Sequence, residues 1–139
     1  MSLSIDYCSG LYENNTPLDT FLLDFGIHVI DLAQFLFGDV ASVCAFTRDQ
    51  RAYGVALRFV NGAVGTLEWR EPPTYISQGD SGYETGHLAE IEDFVAALVE
   101  KRTTSRSAIY DSYKSVVLHD AIRLSAETGQ IVVPMYEQL

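Results

Sequence analysis

The sequence predicts an α+β domain in which a block of consecutive antiparallel strands is set between helices. Three observations carry this. Asn61-Gly62, the strongest short hairpin signal, separates two β-rich runs at 53–60 and 63–69. A long apolar-rich segment, 19–37, stops at Gly38, the residue type expected just past a helix C-terminus. Two later segments repeat apolar residues at helical spacing, and the second closes at Gly129.

Taken in order, the first 17 residues mix Gly10, Asn14, Asn15 and Pro17 with aromatics and read as an irregular or short extended lead-in. The first helix follows at 19–37, with Asp19 or Thr20 available as its N-cap. A loosely alternating, β-rich stretch at 40–47 adds a third strand to the hairpin, giving a meander. Glu71-Pro72-Pro73 stops it, and Gly79, Asp80, Ser81, Gly82 and Gly86 mark a loop reaching His87. Leu88, Ile91, Val95 and Leu98 then define an amphipathic helix, with Lys101-Arg102 placed in its last turn, where cations suit the dipole. A final helix at 110–128 shows Tyr113, Val117, Ala121 and Leu124 on one face, and a short last strand is expected at 131–134.

The 139 residues, 47% hydrophobic and 20% charged, suit one domain spanning 1–139. Nineteen acidic against nine basic residues give a net charge of −10, which argues against nucleic acid or an anionic membrane as partner. No run reaches the roughly 18 apolar residues of a membrane span, and Met1-Ser2-Leu3-Ser4 lacks the order of a signal peptide, so the expected location is the cytoplasm. Cys8 and Cys44, without CxxC spacing, read as buried free thiols. No G-x-G-x-x-G follows a strand, and neither a P-loop nor a G-x-S-x-G elbow occurs. The chain has no recognisable nucleotide site of its own, and nucleophilic catalysis is disfavoured.

The chemistry concentrates in the first helix. Asp24-Phe25-Gly26-Ile27-His28-Val29-Ile30-Asp31 places Asp24, His28 and Asp31 at i, i+4 and i+7. On an α-helix these fall within roughly 60° of arc, while Leu22, Leu23, Phe25, Ile27, Val29, Ile30, Leu32 and Ala33 cover nearly every other direction. A helix apolar all round is a buried one, so the stripe is expected to face a cleft. Three readings stand side by side. His28 with a carboxylate one turn away is a proton-transfer pair. Alternatively, His28 bridges inside the core, with Asp31 bonding a neighbouring backbone. Finally, His and Asp at i, i+4 can ligate zinc, although the spare histidines, His87 and His119, show no spacing that would complete a site.

The D-x-G-x-H-x-x-D helix running into Leu32-Ala33-Gln34-Phe35-Leu36-Phe37-Gly38 resembles the C-terminal domain of the glucose-fructose oxidoreductase and inositol dehydrogenase (Gfo/Idh/MocA) family. Three further pieces fit in the same order: the strand pair 57–65, the helix start Glu90-Ile91-Glu92-Asp93-Phe94-Val95, and the ending Ala121-Ile122-Arg123-Leu124-Ser125-Ala126-Glu127-Thr128-Gly129-Gln130-Ile131-Val132. The resemblance covers roughly 18–134 and implies an open, mostly antiparallel sheet with helices packed on one face, as in the dihydrodipicolinate-reductase-like C-terminal domain. It implies that His28 and Asp24 line the substrate pocket beside the nicotinamide as proton relay and substrate ligand, with Asp31 supporting His28 or the fold. It implies NAD or NADP as cofactor of the full-length parent, with none expected on this chain alone, and a sugar, polyol or related hydroxy compound as substrate. It also implies a homo-oligomer built through the free sheet face, with exposed apolar residues expected on one face of the 53–69 hairpin.

Two features depart from the family. Its amino-terminal Rossmann domain, with the lysine of its Glu-Lys-Pro motif, is absent, so this chain is expected to need a Rossmann domain in cis or in trans for turnover. The stretch between Trp69 and Leu88 is short for the family, which implies a smaller sheet and a more open pocket. The leading expectation is therefore the substrate-binding and oligomerisation domain of an NAD(P)-dependent oxidoreductase. The alternative is a stand-alone, non-catalytic binding or oligomerisation module that kept the fold, and a metal-dependent hydrolase using His28 and Asp24 is the third class.

Overall fold

The computed structural model describes residues 1–8, 22–48, 52–70, 87–102 and 108–137, with backbone alone at 7–8, 24–25, 70 and 87–90. Strands β1 (Ser2–Cys8), β2 (Val40–Arg48), β3 (Ala52–Phe59) and β4 (Val64–Arg70) form one sheet in the order β1-β4-β3-β2. The pairs β2/β3 and β3/β4 are antiparallel and β1/β4 is parallel. The helices are α1 (Ile27–Phe37), α2 (His87–Val99) and α3 (Ile109–Thr128). The expected α+β class, the mostly antiparallel sheet and the meander are all present.

Strand alternation decides what is buried. Because side chains point to opposite faces at every second residue, Tyr53, Val55, Leu57 and Phe59 of β3 go inward with Val43 and Ala45 of β2 and Leu67 and Trp69 of β4. Helices α1 and α3 cover that face, α3 lying chiefly against β2 and α1 against α3. Most large apolar residues of the hairpin belong to this core, while Val60 and Val64 are exposed. The exposed apolar residues expected on the outer face are Ala56 and Val64, set among Gly54, Arg58, Thr66 and Glu68. Ala56, Arg58, Val64 and Thr66, with Ser4, Ser42 and Cys44, line a shallow groove of about 530 Å³ on the outer sheet face. Cys44 sits there half-buried, so it is not the buried thiol expected, and the Cys8 side chain lies outside the described residues.

The lead-in is partly a strand, not an irregular segment. Leu3 and Ile5 pack against the core while Ser2, Ser4 and Asp6 are exposed, which is the half-buried pattern of period two. Its parallel partner β4 lies some 60 residues away (Ser2 pairs with Val64), so no local turn signal announces it.

The hairpin turn uses Val60, Asn61 and Gly62, with Gly62 at φ 83°. The Phe59 N–H donates to Ala63 O at 2.9 Å, and Asn61 Oδ1 accepts the Ala63 N–H. Asn61 Nδ2 donates to Phe37 O at 2.9 Å, tying the hairpin to the end of α1. The left-handed conformation needed at Gly62 is the reason for glycine there.

Helix α1 is shorter than the sequence suggested, because Leu22–Gly26 form a π-turn before it. Gly38, at φ 82°, closes it as expected, its N–H donating to Gln34 O at 2.7 Å. Residues 19–21, and with them the proposed N-cap, lie outside the described residues. Helix α3 closes at Gly129 as expected (φ 68°); its buried residues are Ser115, Leu118, His119, Ala121, Ile122 and Ser125, whereas Leu124 is half exposed. Of the predicted face Ala121 is buried and Tyr113 and Val117 are half-buried; apolar counting missed Ser115 and Ser125, serines made burial-competent by hydrogen bonds. Ser125 Oγ accepts the Ala45 N–H at 3.0 Å and donates to Gln130 O.

The expected last strand reduces to one bridge, Val43 to Val132, with both bonds at 2.9 Å. Lys101 and Arg102 lie beyond α2, not in its last turn; Arg102 folds back onto Glu100 at 2.8 Å and Asp93 at 3.2 Å. No described helix is long and apolar enough to cross a membrane.

Candidate functional site

The sequence-predicted site residues fall around the start of α1. Asp24 lies on the π-turn, where the backbone bonds i to i+5 and residues four apart no longer stack as on an α-helix; its side chain lies outside the described residues. His28 is on the first turn of α1 and exposed. Asp31 is exposed along its helix edge but engaged, its Oδ1 accepting the Ser115 hydroxyl of α3 at 3.0 Å. The reading of Asp31 as a support of the fold therefore has a direct partner, and the reading of His28 as a bridging core residue does not hold.

The inward side of α1 is Val29, Ile30 and Ala33, all buried. Opposite them His28 shares an open face with Leu32, Phe35 and Leu36, exposed by 45%, 81% and 53%. Among the described residues the predicted polar stripe thus stands beside exposed apolar side chains and not inside a cleft. Gly26, the last residue of the π-turn, is packed so that an added Cβ would meet Leu22 Cδ1 at 2.6 Å and Trp69 Nε1 at 3.4 Å. The π-turn is seated directly on the buried indole, which fixes where α1 and His28 begin.

A polar seam runs from Asp31 along α1. Ser115 Oγ lies 3.3 Å from Gln34 Oε1, Gln34 Nε2 donates to Tyr136 Oη at 3.3 Å, and the Val40 N–H donates to the same oxygen at 3.4 Å. Burial pushes the Tyr136 hydroxyl up to about 12. Beside Ser115 on α3, Lys114 pairs with Asp39 at 2.9 Å and caps the Tyr110 ring at 4.9 Å. Ser115, Gln34 and Tyr136 escaped the sequence reading because they come from elements up to 102 residues apart and form no motif.

Among the described residues no group of three or more His, Cys, Asp and Glu side chains could hold a metal ion. His119 is buried on α3, its Nδ1 3.0 Å from Asp120 Oδ1, and the His87 side chain lies outside the described residues.

Residues 12–75 match the family model described as the GFO/IDH/MocA C-terminal domain, and the resemblance read from the sequence is borne out. Similar solved structures include the WlbA dehydrogenase from Bordetella pertussis in complex with NADH and UDP-GlcNAcA (21% identity, 84% of this chain and 46% of that chain, TM-score 0.66). The myo-inositol dehydrogenase from Lactobacillus casei in complex with NAD(H) and myo-inositol is another (12% identity, 96% and 53%, TM-score 0.74). A third is the aldose-aldose oxidoreductase from Caulobacter crescentus complexed with glycerol (15% identity, 93% and 54%, TM-score 0.73). This chain spans about half the length of each of these proteins. No curated protein sequence matches it.

Proposed function

We propose that this chain is the substrate-binding and oligomerisation domain of an NAD(P)-dependent oxidoreductase acting on a sugar, polyol or related hydroxy compound. The observation that carries the reading is His28, exposed on the first turn of α1, in a domain whose relatives are solved with NAD(H) and with a polyol or a sugar nucleotide. Hydride passes between the substrate alcohol carbon and the nicotinamide, which is held by a Rossmann domain supplied in cis or in trans. His28 accepts or donates the hydroxyl proton, Asp24 is a substrate ligand, and Asp31 supports the helix. An imidazole suits that role because its ordinary pKa lies near neutrality, and positioned proton transfer contributes about 10²–10⁴ in rate.

The open face of Leu32, Phe35 and Leu36 beside His28 supports a site completed by a second domain, since exposed apolar surface of this kind marks contact with another body. Self-association uses the outer sheet face, where small side chains such as Ala56, Ser4 and Thr66 permit close approach of a second sheet. The protein works in the cytoplasm.

Joined to a dinucleotide-binding domain of the family type, the chain should oxidise a polyol with NAD or NADP, and His28→Ala should cut kcat by about 100-fold or more with thermal unfolding unchanged. Undiminished turnover in that variant would sink the reading. The chain alone, titrated with NADH and NADPH in a calorimeter, should give no binding heat.

A further inference from the structure

We propose that Ser115 is a positioning residue: its hydroxyl holds the Asp31 carboxylate on the α3 side and keeps it from pairing with His28. On an α-helix, residues three apart are neighbours, about 5–6 Å between Cβ atoms, and side chains lean toward the helix N-terminus. Asp31 therefore leans toward the turn that carries His28, and an acid so placed is the natural ion-pair partner of an imidazole. Among the described residues His28 has no such pair. The Asp31 carboxylate instead takes a hydrogen bond from Ser115 at 3.0 Å.

Ser115 is 2% exposed and has one proton to give. Three acceptors surround its oxygen: Asp31 Oδ1 at 3.0 Å, Asp111 O at 3.2 Å and Gln34 Oε1 at 3.3 Å. The proton goes to the carboxylate, because a charged acceptor makes the stronger bond. The donor is buried and the acid is exposed, so the buried partner decides where the acid lies. Gln34, bonded to Tyr136, walls the other side of the hydroxyl.

The remaining charges near this seam have other partners. Lys114 is taken by Asp39 at 2.9 Å, and Asp111 Oδ2 accepts the Ala108 N–H at 3.2 Å. His119 lies against Asp120, and Asp6 of β1 is on the outer face of the sheet. Asp24, on the π-turn, belongs to the proposed site itself. The consequence rests on the proton-transfer reading of His28. An imidazole locked in an ion pair has its lone pair committed to a proton, whereas one left unpaired can take a proton from a substrate hydroxyl. Ser115 would thus keep His28 open for exchange through Asp31, without touching substrate.

The test uses the chain by itself and no cofactor or substrate, so its failure is separate from failure of the functional reading. Three histidines make the imidazole titrations easy to assign by NMR, each by its own substitution. In Ser115→Ala the freed Asp31 swings to His28, and the His28 midpoint rises by about 0.3 pH unit, the worth of one helical ion pair. Ser115→Ala with Asp31→Asn removes the rise. Asp31→Asn alone moves the midpoint by less than about 0.1 unit, because the carboxylate is already held away. A folded Ser115→Ala chain with an unmoved or lowered midpoint overturns the proposal. Should that variant fail to fold, Asp31→Asn decides the matter: a drop of about 0.3 unit or more means that Asp31 and His28 are already paired, and the proposal is wrong.

Discussion

Helices α2 and α3 read as the same kind of object in the sequence and end in opposite surroundings. Helix α2 carries the cleaner apolar stripe, yet Ile91, Val95 and Leu98 stand 50–64% exposed, and of its described side chains Ala97 alone is buried. Helix α3 interrupts its stripe with Ser115 and Ser125, yet both serines are inside with Leu118 and Ile122. The difference teaches that periodicity selects a face, whereas burial needs a second surface that fits it. Helix α3 has that surface in β2 and α1, which offer the Ala45 N–H and the Asp31 carboxylate as partners for its serines.

This comparison can be broken by substitution. The largest loss is expected at Ile122, which is fully buried: Ile122→Ala should cost about 3 kcal/mol in urea unfolding, since transfer and cavity terms add. Ser125→Ala should follow at about 2 kcal/mol, because it leaves the buried Ala45 N–H without an acceptor. A loss within about 0.5 kcal/mol there would mean that the serine is a tolerated passenger of the helix and not one of its anchors.

The tail gives a smaller and pH-dependent effect. Tyr136 ties Gln34 of α1 to the start of β2, and burial raises its hydroxyl from 10.0 to about 12. With the folded value above the unfolded one, the contribution is complete below pH 10 and is lost as the pH climbs from 10 to about 12. Tyr136→Phe should therefore be less stable than the parent at pH 8, and the gap should narrow across that window when thermal unfolding is followed at each pH.

The smallest effect is expected on α2, where Leu98→Ser should change stability by no more than about 0.5 kcal/mol, as at exposed positions generally. A loss above about 1.5 kcal/mol, or a fall that grows with protein concentration, would show the apolar side of α2 to be covered in solution.

Much of the fold was legible because its signals are local. Asn61-Gly62 announces the hairpin, Gly38 and Gly129 end their helices through left-handed or positive-φ backbone, and the inward residues of β3 alternate without a break. The misses are non-local. Strand β1 depends on a parallel partner some 60 residues on, and the tail at 131–134 makes one bridge to β2, at Val43. The candidate site divides in the same way. His28 and Asp31 were identified from their spacing on one helix, but the described residues form no cleft around them, and the π-turn that shifts Asp24 off the α-helical pattern leaves no mark in the composition.

By itself the sequence determined the α+β class, the meander, the helix ends and a helix bearing His28 and Asp31, since each follows from the propensities and spacing of neighbouring residues. The tertiary structure decided which face of α3 is buried, which residue holds Asp31 and which apolar side chains stay open beside His28. Those outcomes depend on groups brought within about 3 Å from distant parts of the chain, where one hydroxyl or one backbone N–H outweighs the hydrophobic pattern.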